Sequence, residues 1–169
     1  MGRSEMELKK LDKSFYLANP VLMQALDFDM ATNSWFNNGK VRGHGVVQIR
    51  LNELTFAIPV RSTIQHSESF ILEINRGPDK RNKGMGLDYS KAVLLRESSH
   101  ISSDIFLLRS KVAGKKLPGK QTHITRKFAR YVERYINAVQ KQDRNILNSA
   151  GYRHTTLVNY HPELGLSFR

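Results

Sequence analysis

Between positions 124 and 139, apolar side chains return every three or four residues: Ile124, Phe128, Tyr131, Val132, Tyr135, Ile136 and Val139. That spacing predicts a long helix with one apolar face, Thr122 capping its start and the helical pattern running through Ile146 and Leu147 to a stop at Gly151. Such a face has to be covered, and the chain before it supplies β-type runs. Gly45-Val46-Val47-Gln48-Ile49-Arg50 and Leu54-Thr55-Phe56-Ala57-Ile58-Pro59 flank Leu51-Asn52-Glu53 at hairpin spacing. Ser69 to Ile74, Lys91 to Leu95 and Ile105 to Leu108 read as further strands, Thr155 to Tyr160 as a last one, and a strand is expected within residues 5–17. Asn19-Pro20 reads as the start of a short helix over Val21 to Leu26. Residues 76–86 and 114–119 are basic, glycine-punctuated loops. The pattern predicts one α+β domain over residues 1–169: a curved, mostly antiparallel sheet or small barrel with the long amphipathic helix packed on it.

Charge narrows the partners. Twenty-seven Lys and Arg stand against fifteen Asp and Glu, a net +12. Such an excess favours polyanions, nucleic acid or anionic membrane, by releasing their counterions. The chain has no cysteine, which removes disulfides, thiol nucleophiles and Cys-zinc sites. No apolar run is long enough to span a bilayer, and a cytoplasmic protein is expected. There is no Gly-x-Gly-x-x-Gly, P-loop or His-Glu-x-x-His motif, and no metal or cofactor is expected.

The stretch richest in chemistry is Pro59-Val60-Arg61-Ser62-Thr63-Ile64-Gln65-His66, where an apolar run is expected to stop at Pro59 and give way to polar groups. Arginine and hydroxyl groups bind phosphate oxygens, and an imidazole moves protons near neutral pH. RNA carries its own nucleophile, a 2′-hydroxyl that attacks the adjacent phosphorus once a base removes its proton and an acid protonates the leaving oxygen. His66 is the first candidate for that base or acid. Arg61, Ser62 and Thr63 would hold the non-bridging oxygens, and Lys40 or Arg42 would add charge from the opposite wall. His44 is a candidate second proton carrier, and Lys91 a lesser cation beside a basic loop. Tyr16, Trp35 and Phe36 are candidate base-stacking residues, and Lys83, Arg126 and Arg130 candidate phosphate contacts. A plain turn at Pro59–Thr63, a capping His66 and core aromatics are the competing readings of the same residues.

Two stretches carry a family resemblance: Gly45 to Val47 leading through Ile58-Pro59-Val60-Arg61-Ser62-Thr63-Ile64-Gln65-His66, and Gly86-Leu87-Asp88-Tyr89-Ser90-Lys91-Ala92-Val93. Together they resemble the toxins of type III toxin–antitoxin systems, the ToxN/AbiQ/CptN group, with the TenpN branch nearest. Phe15-Tyr16 fits an aromatic pair near that group's N-terminus, and the likeness covers residues 12–140. It implies a compact fold similar to the Kid/MazF toxins and a metal-independent endoribonuclease leaving 2′,3′-cyclic phosphate and 5′-hydroxyl ends. It also implies a small repeated pseudoknot RNA as antitoxin, processed by the toxin and held with it in a closed hetero-oligomer, with cellular RNA as substrate and defence against phage as the role. Ser62 falls at the group's active serine. Arg61 stands where other branches often have threonine, and Ile64 and Gln65 where they tend to carry lysine, which leaves His66 as the candidate for that lysine's part. A non-catalytic basic RNA- or DNA-binding module is the alternative.

Overall fold

The structure is a computed structural model, which describes residues 6–35 and 44–166. Lys40, Arg42 and Phe36 lie outside those residues. The architecture is α+β. Its main sheet contains β1 (Lys9–Leu11), β4 (Val46–Leu51), β5 (Leu54–Ile64), β6 (Ser69–Ile74), β7 (Gly84–Asp88), β8 (Val93–Leu95) and β9 (Ile101–Ile105). Its strands run in the order β6-β7-β5-β4-β1-β9, with β8 also paired to β5, and every pairing is antiparallel. A separate two-stranded ribbon joins β2 (Phe28–Asp29) and β3 (Ser34–Trp35). The helices are α1 (Lys13–Ala18), α2 (Lys111–Lys116), α3 (Gln121–Lys141) and α4 (Arg144–Leu147).

The expected hairpin is β4–β5, in register from Val46↔Pro59 to Leu51↔Leu54 around a two-residue turn. Asn52 sits there at φ 53°, a conformation asparagine tolerates better than most residues. The apolar stripe of α3 is buried as its spacing requires, with Ile124, Phe128, Tyr131, Val132 and Tyr135 all inside. Phe128 meets Phe56 of β5 edge-on with ring centroids 5.2 Å apart, and Tyr131 stacks on Tyr152 at 4.5 Å. Each such ring pair is worth about 0.5–1.5 kcal/mol beyond the area it buries. The opposite face of β5 carries Ala57, which with Phe15, Tyr16 and Trp35 lines a small apolar cavity. Both faces of β5 are therefore covered.

Several local expectations are corrected. β5 does not stop at Pro59 but runs on to Ile64. Val60 donates to Gly45 on the β4 side, so by alternation the donor that Pro59 lacks falls on the other edge. There β8 pairs with residues 55–57 and β7 only from Val60 onward, and the proline sits in the gap. Asn19 ends α1 rather than starting a helix, its Nδ2 and backbone N–H both donating to the Phe15 carbonyl. Gly84 and Gly86 belong to β7 instead of the loop before it, and Tyr89–Lys91 is a 3-10 turn ahead of β8. Of the expected strand 105–108 only its first residue is strand, the last of β9. Residues 111–116 are helical, capped by Ser110. Thr122 does not cap α3, which starts at Gln121. The long helix breaks at Gln142, in the left-handed region, before α4. Residues 156–159 form a 3-10 turn capped by Thr155, not a strand.

No helix among the described residues is long and apolar enough to cross a membrane.

Candidate functional site

Asp88, at the end of β7, is fully buried and gathers four donors. Its Oδ1 accepts from Ser90 Oγ at 2.6 Å, from the Ser90 N–H at 3.0 Å and from His66 Nε2 at 2.9 Å; its Oδ2 accepts from Arg61 Nη1 at 3.1 Å. Burial pushes the carboxyl's pKa up, but the bonds from His66, Ser90 and Arg61 outweigh it and hold the group below the ordinary carboxylate value. The site is therefore a buried anion that holds the Arg61 guanidinium in place.

Two of the sequence-named residues meet there because of a bulge. Arg61 pairs with Gly86 and Ile64 with Gly84, so Ser62 and Thr63 both oppose the single residue Met85. Gly84 and Gly86 are two apart and share a face, which puts Arg61 and Ile64 on that face too, with His66 two residues further along. Ser62 and Thr63 are left on the other face, exposed, and their hydroxyls make no hydrogen bond to another described residue. The structure thus brings Arg61 and His66 together and sets Ser62 and Thr63 apart from them.

His66 is 8% exposed and both its ring nitrogens are engaged. Nδ1 accepts the Glu68 N–H at 3.0 Å, so the ring proton sits on Nε2 and points at Asp88. With both nitrogens bonded inside the protein, the ring suits a positioning role better than proton transfer. Arg61 is the reverse case. Its side chain is 40% exposed, with one guanidinium nitrogen fixed on Asp88 and the rest of the fork reachable from solvent.

His44 lies on the same side of the sheet. It lines the small cavity beside Pro59 and Lys91, and its Nδ1 stands 3.7 Å from Asp27 Oδ2. The β4–β5 register, continued from Val46↔Pro59 through the Val60–Gly45 bond, leads to His44 opposite Arg61. Lys91 is buried, its Nζ donating to the carbonyls of Gln24 and His154 at 2.8 Å each. Burial lowers its pKa to about 8. It ties the N-terminal segment to the C-terminal one and offers no exposed charge.

The remaining candidates divide between core and surface. Trp35 is buried, its Nε1–H donating to the Asn19 carbonyl and its ring edge-on to Tyr16 and Phe28. Tyr16 is half-buried against Phe15 and Trp35, and burial raises its pKa to about 12. Lys83, Arg126 and Arg130 are exposed and have no carboxylate partner among the described residues. Among those residues no three His, Asp or Glu side chains are grouped to hold a metal ion.

Sequence reasoning missed Asp88, Ser90 and Asp27. A lone aspartate inside Met85-Gly86-Leu87-Asp88-Tyr89 was the available signal, since a carboxylate in an apolar run is kept only if it is paired. The chain matches no protein-family model, no curated protein and no solved structure.

Proposed function

We propose that this chain is a metal-independent endoribonuclease whose cleavage centre is built around Arg61. The observation that carries the reading is that the two stretches bearing the resemblance, 58–66 and 86–93, converge on the single carboxylate of Asp88. Asp88 holds Arg61 in place with most of its guanidinium free, and a guanidinium fork matches two phosphate oxygens. His44, facing Asp27 through Nδ1, is an imidazole with an acidic neighbour to orient it. In the reaction the 2′-oxygen bonds to phosphorus as the bond to the 5′-oxygen breaks. His44 takes the 2′ proton, water supplies one to the leaving 5′-oxygen, and Arg61 neutralises the charge growing on the non-bridging oxygens. The wider role belongs to the same proposal and rests on the resemblance. It is a cytoplasmic type III toxin that processes, and is inhibited by, a small repeated RNA in a hetero-oligomer, in phage defence. A Kid/MazF-like barrel belongs to it as well; β6 and β9 are the outer strands of the sheet path and do not pair with each other.

One observation favours a second reading. With Ser62 and Thr63 on the far face and both nitrogens of His66 occupied, the corner suits a protein that binds RNA without cutting it. The test is incubation of the purified chain with a short oligoribonucleotide and with its 2′-deoxy counterpart, each with excess chelator. Cleavage of the ribose strand alone, with cyclic phosphate ends by mass spectrometry, is expected. Arg61→Gln and His44→Gln should each lower the rate about a hundredfold or more. Cutting of the deoxy strand, loss of activity with chelator, or wild-type rates in both variants would overturn the mechanism; RNA binding with no cleavage would establish the second reading.

A further inference from the structure

A polar groove of about 380 Å³ lies between the start of β6 and the exposed side of α3, and Ser67, Tyr89, His123, Lys127, Arg130 and Arg134 line it. It is on the α3 face of the sheet, where Tyr89 meets Phe128 and Phe70 meets His123, whereas Arg61 and Asp88 face the other way. The groove is strongly cationic. Lys127 and Arg130 have no carboxylate partner among the described residues, and the one acid lining it, Glu68, stands 3.7 Å from Arg134.

Three tyrosines line the groove, and their hydroxyls differ. Tyr131 donates to the Gly151 carbonyl and its hydroxyl is also hydrogen-bonded with Thr155 Oγ1, and Tyr152 donates to the Tyr131 carbonyl. Tyr89, only 2% exposed, has a buried hydroxyl with no partner in the described structure. Burial, with the Glu68 carboxylate as a second cause, raises its pKa, so it remains an O–H donor. A buried donor left unpaired is costly, and an anion oxygen in the groove would satisfy it.

We propose that this groove holds a backbone phosphate of a bound RNA strand, with the Tyr89 hydroxyl donating to one oxygen and Lys127 and Arg130 supplying the countercharge. It is a binding subsite separate from the cleavage corner, and it rests on the reading that the protein binds RNA. It recognises phosphate rather than base, so it adds affinity without sequence preference.

The experiment titrates a 2′-O-methyl 12-mer oligoribonucleotide, which the proposed reaction does not cut, into the full chain by fluorescence anisotropy over a range of salt. Tyr89→Phe should weaken binding about tenfold while leaving the salt dependence unchanged, because a neutral donor releases no counterion. Its melting temperature should hold or rise, since the substitution removes an unpaired buried group, a result that a merely structural role for the hydroxyl would not give. Arg130→Gln should weaken binding and lower the slope of log affinity against log salt by about 0.7. Lys141→Gln, with the same charge loss at the far end of α3, should change affinity much less. Wild-type affinity in Tyr89→Phe together with equal losses in Arg130→Gln and Lys141→Gln would overturn the groove while leaving RNA binding intact. No salt-dependent binding by the wild-type chain would overturn both.

Discussion

Replacing Asp88 tests the anchoring carboxylate directly. In Asp88→Ala, the Ser90 N–H, Ser90 Oγ–H and His66 Nε2–H lose their shared acceptor at a fully buried position. Arg61 adds little to the loss, because its side chain is 40% exposed and solvent can take over the contact. Breaking a buried charged pair from one side costs about 3–5 kcal/mol, and three stranded donors place this case near ~4. Asp88→Asn keeps one acceptor oxygen, which can still face His66 and Ser90, while its amide repels Arg61. Weakening two charge-assisted bonds to neutral ones costs about 1–2 kcal/mol. The assay is urea unfolding followed by far-ultraviolet circular dichroism. With a slope of about 2 kcal/mol/M for a chain of this size, the midpoint should fall by roughly 2 M for alanine and under about 1 M for asparagine. An alanine variant within about 0.5 M of the wild type would refute the claim that this carboxylate holds the corner together.

The same group sets an acid limit. Asp88's folded pKa lies below its unfolded one, so its contribution is whole above the ordinary carboxylate value near ~3.9 and is lost as pH falls through the lower folded value. The gap in urea midpoint between wild type and Asp88→Asn should therefore close below about pH 4, and a gap unchanged there would contradict the assignment. Lys91 acts at the other end. With a folded pKa of about 8 against 10.5, the unfolded chain binds more protons between those values, so stability should climb as pH rises through that window. Lys91→Met should abolish the climb, measured as urea midpoints at successive alkaline pH values. Gly86→Ala should destabilise the chain by about 2 kcal/mol or more, because the added Cβ would collide with the Phe70 carbonyl across the β6–β7 pairing; an unchanged melting temperature would refute that.

What the sequence showed plainly was local. The β4–β5 hairpin, β6 and the apolar stripe of α3 follow from residue spacing alone, and the structure has them where that spacing puts them. The misreadings came from signals that serve two purposes. Asn19 suits a helix start as well as a helix end, and only the Phe15 carbonyl behind it decides which. Pro59 usually marks the end of a strand, yet here it faces the gap between two neighbours, which depends on where β7 and β8 fall. The candidate site divided in the same way. Exposed cations such as Lys83, Arg126 and Arg130 can be read from composition and periodicity. Asp88 was missed because its value lies in the partners a sheet register delivers, and register is not a property of any single segment.

The bulge at Ser62 and Thr63 is where register decides which side chains meet Asp88. Side chains alternate along a strand, so an unbroken β5 would turn Arg61 and Ile64 to opposite faces. It would either expose Ile64, which is fully buried, or bring Arg61 into the α3 side of the sheet. One extra residue avoids both outcomes. It keeps Arg61, Ile64 and His66 on the face that holds Asp88, and it turns two hydroxyls toward the face where α3 and the cationic groove lie. Arg61 and the groove then stand on opposite sides of the sheet, with β6 as its outer strand at that end. An RNA strand in contact with both would have to pass around the β6 edge. A ligand that long would be held by many weak phosphate contacts rather than by one pocket, which is the use a chain with a net charge of +12 could make of cations spread over two faces.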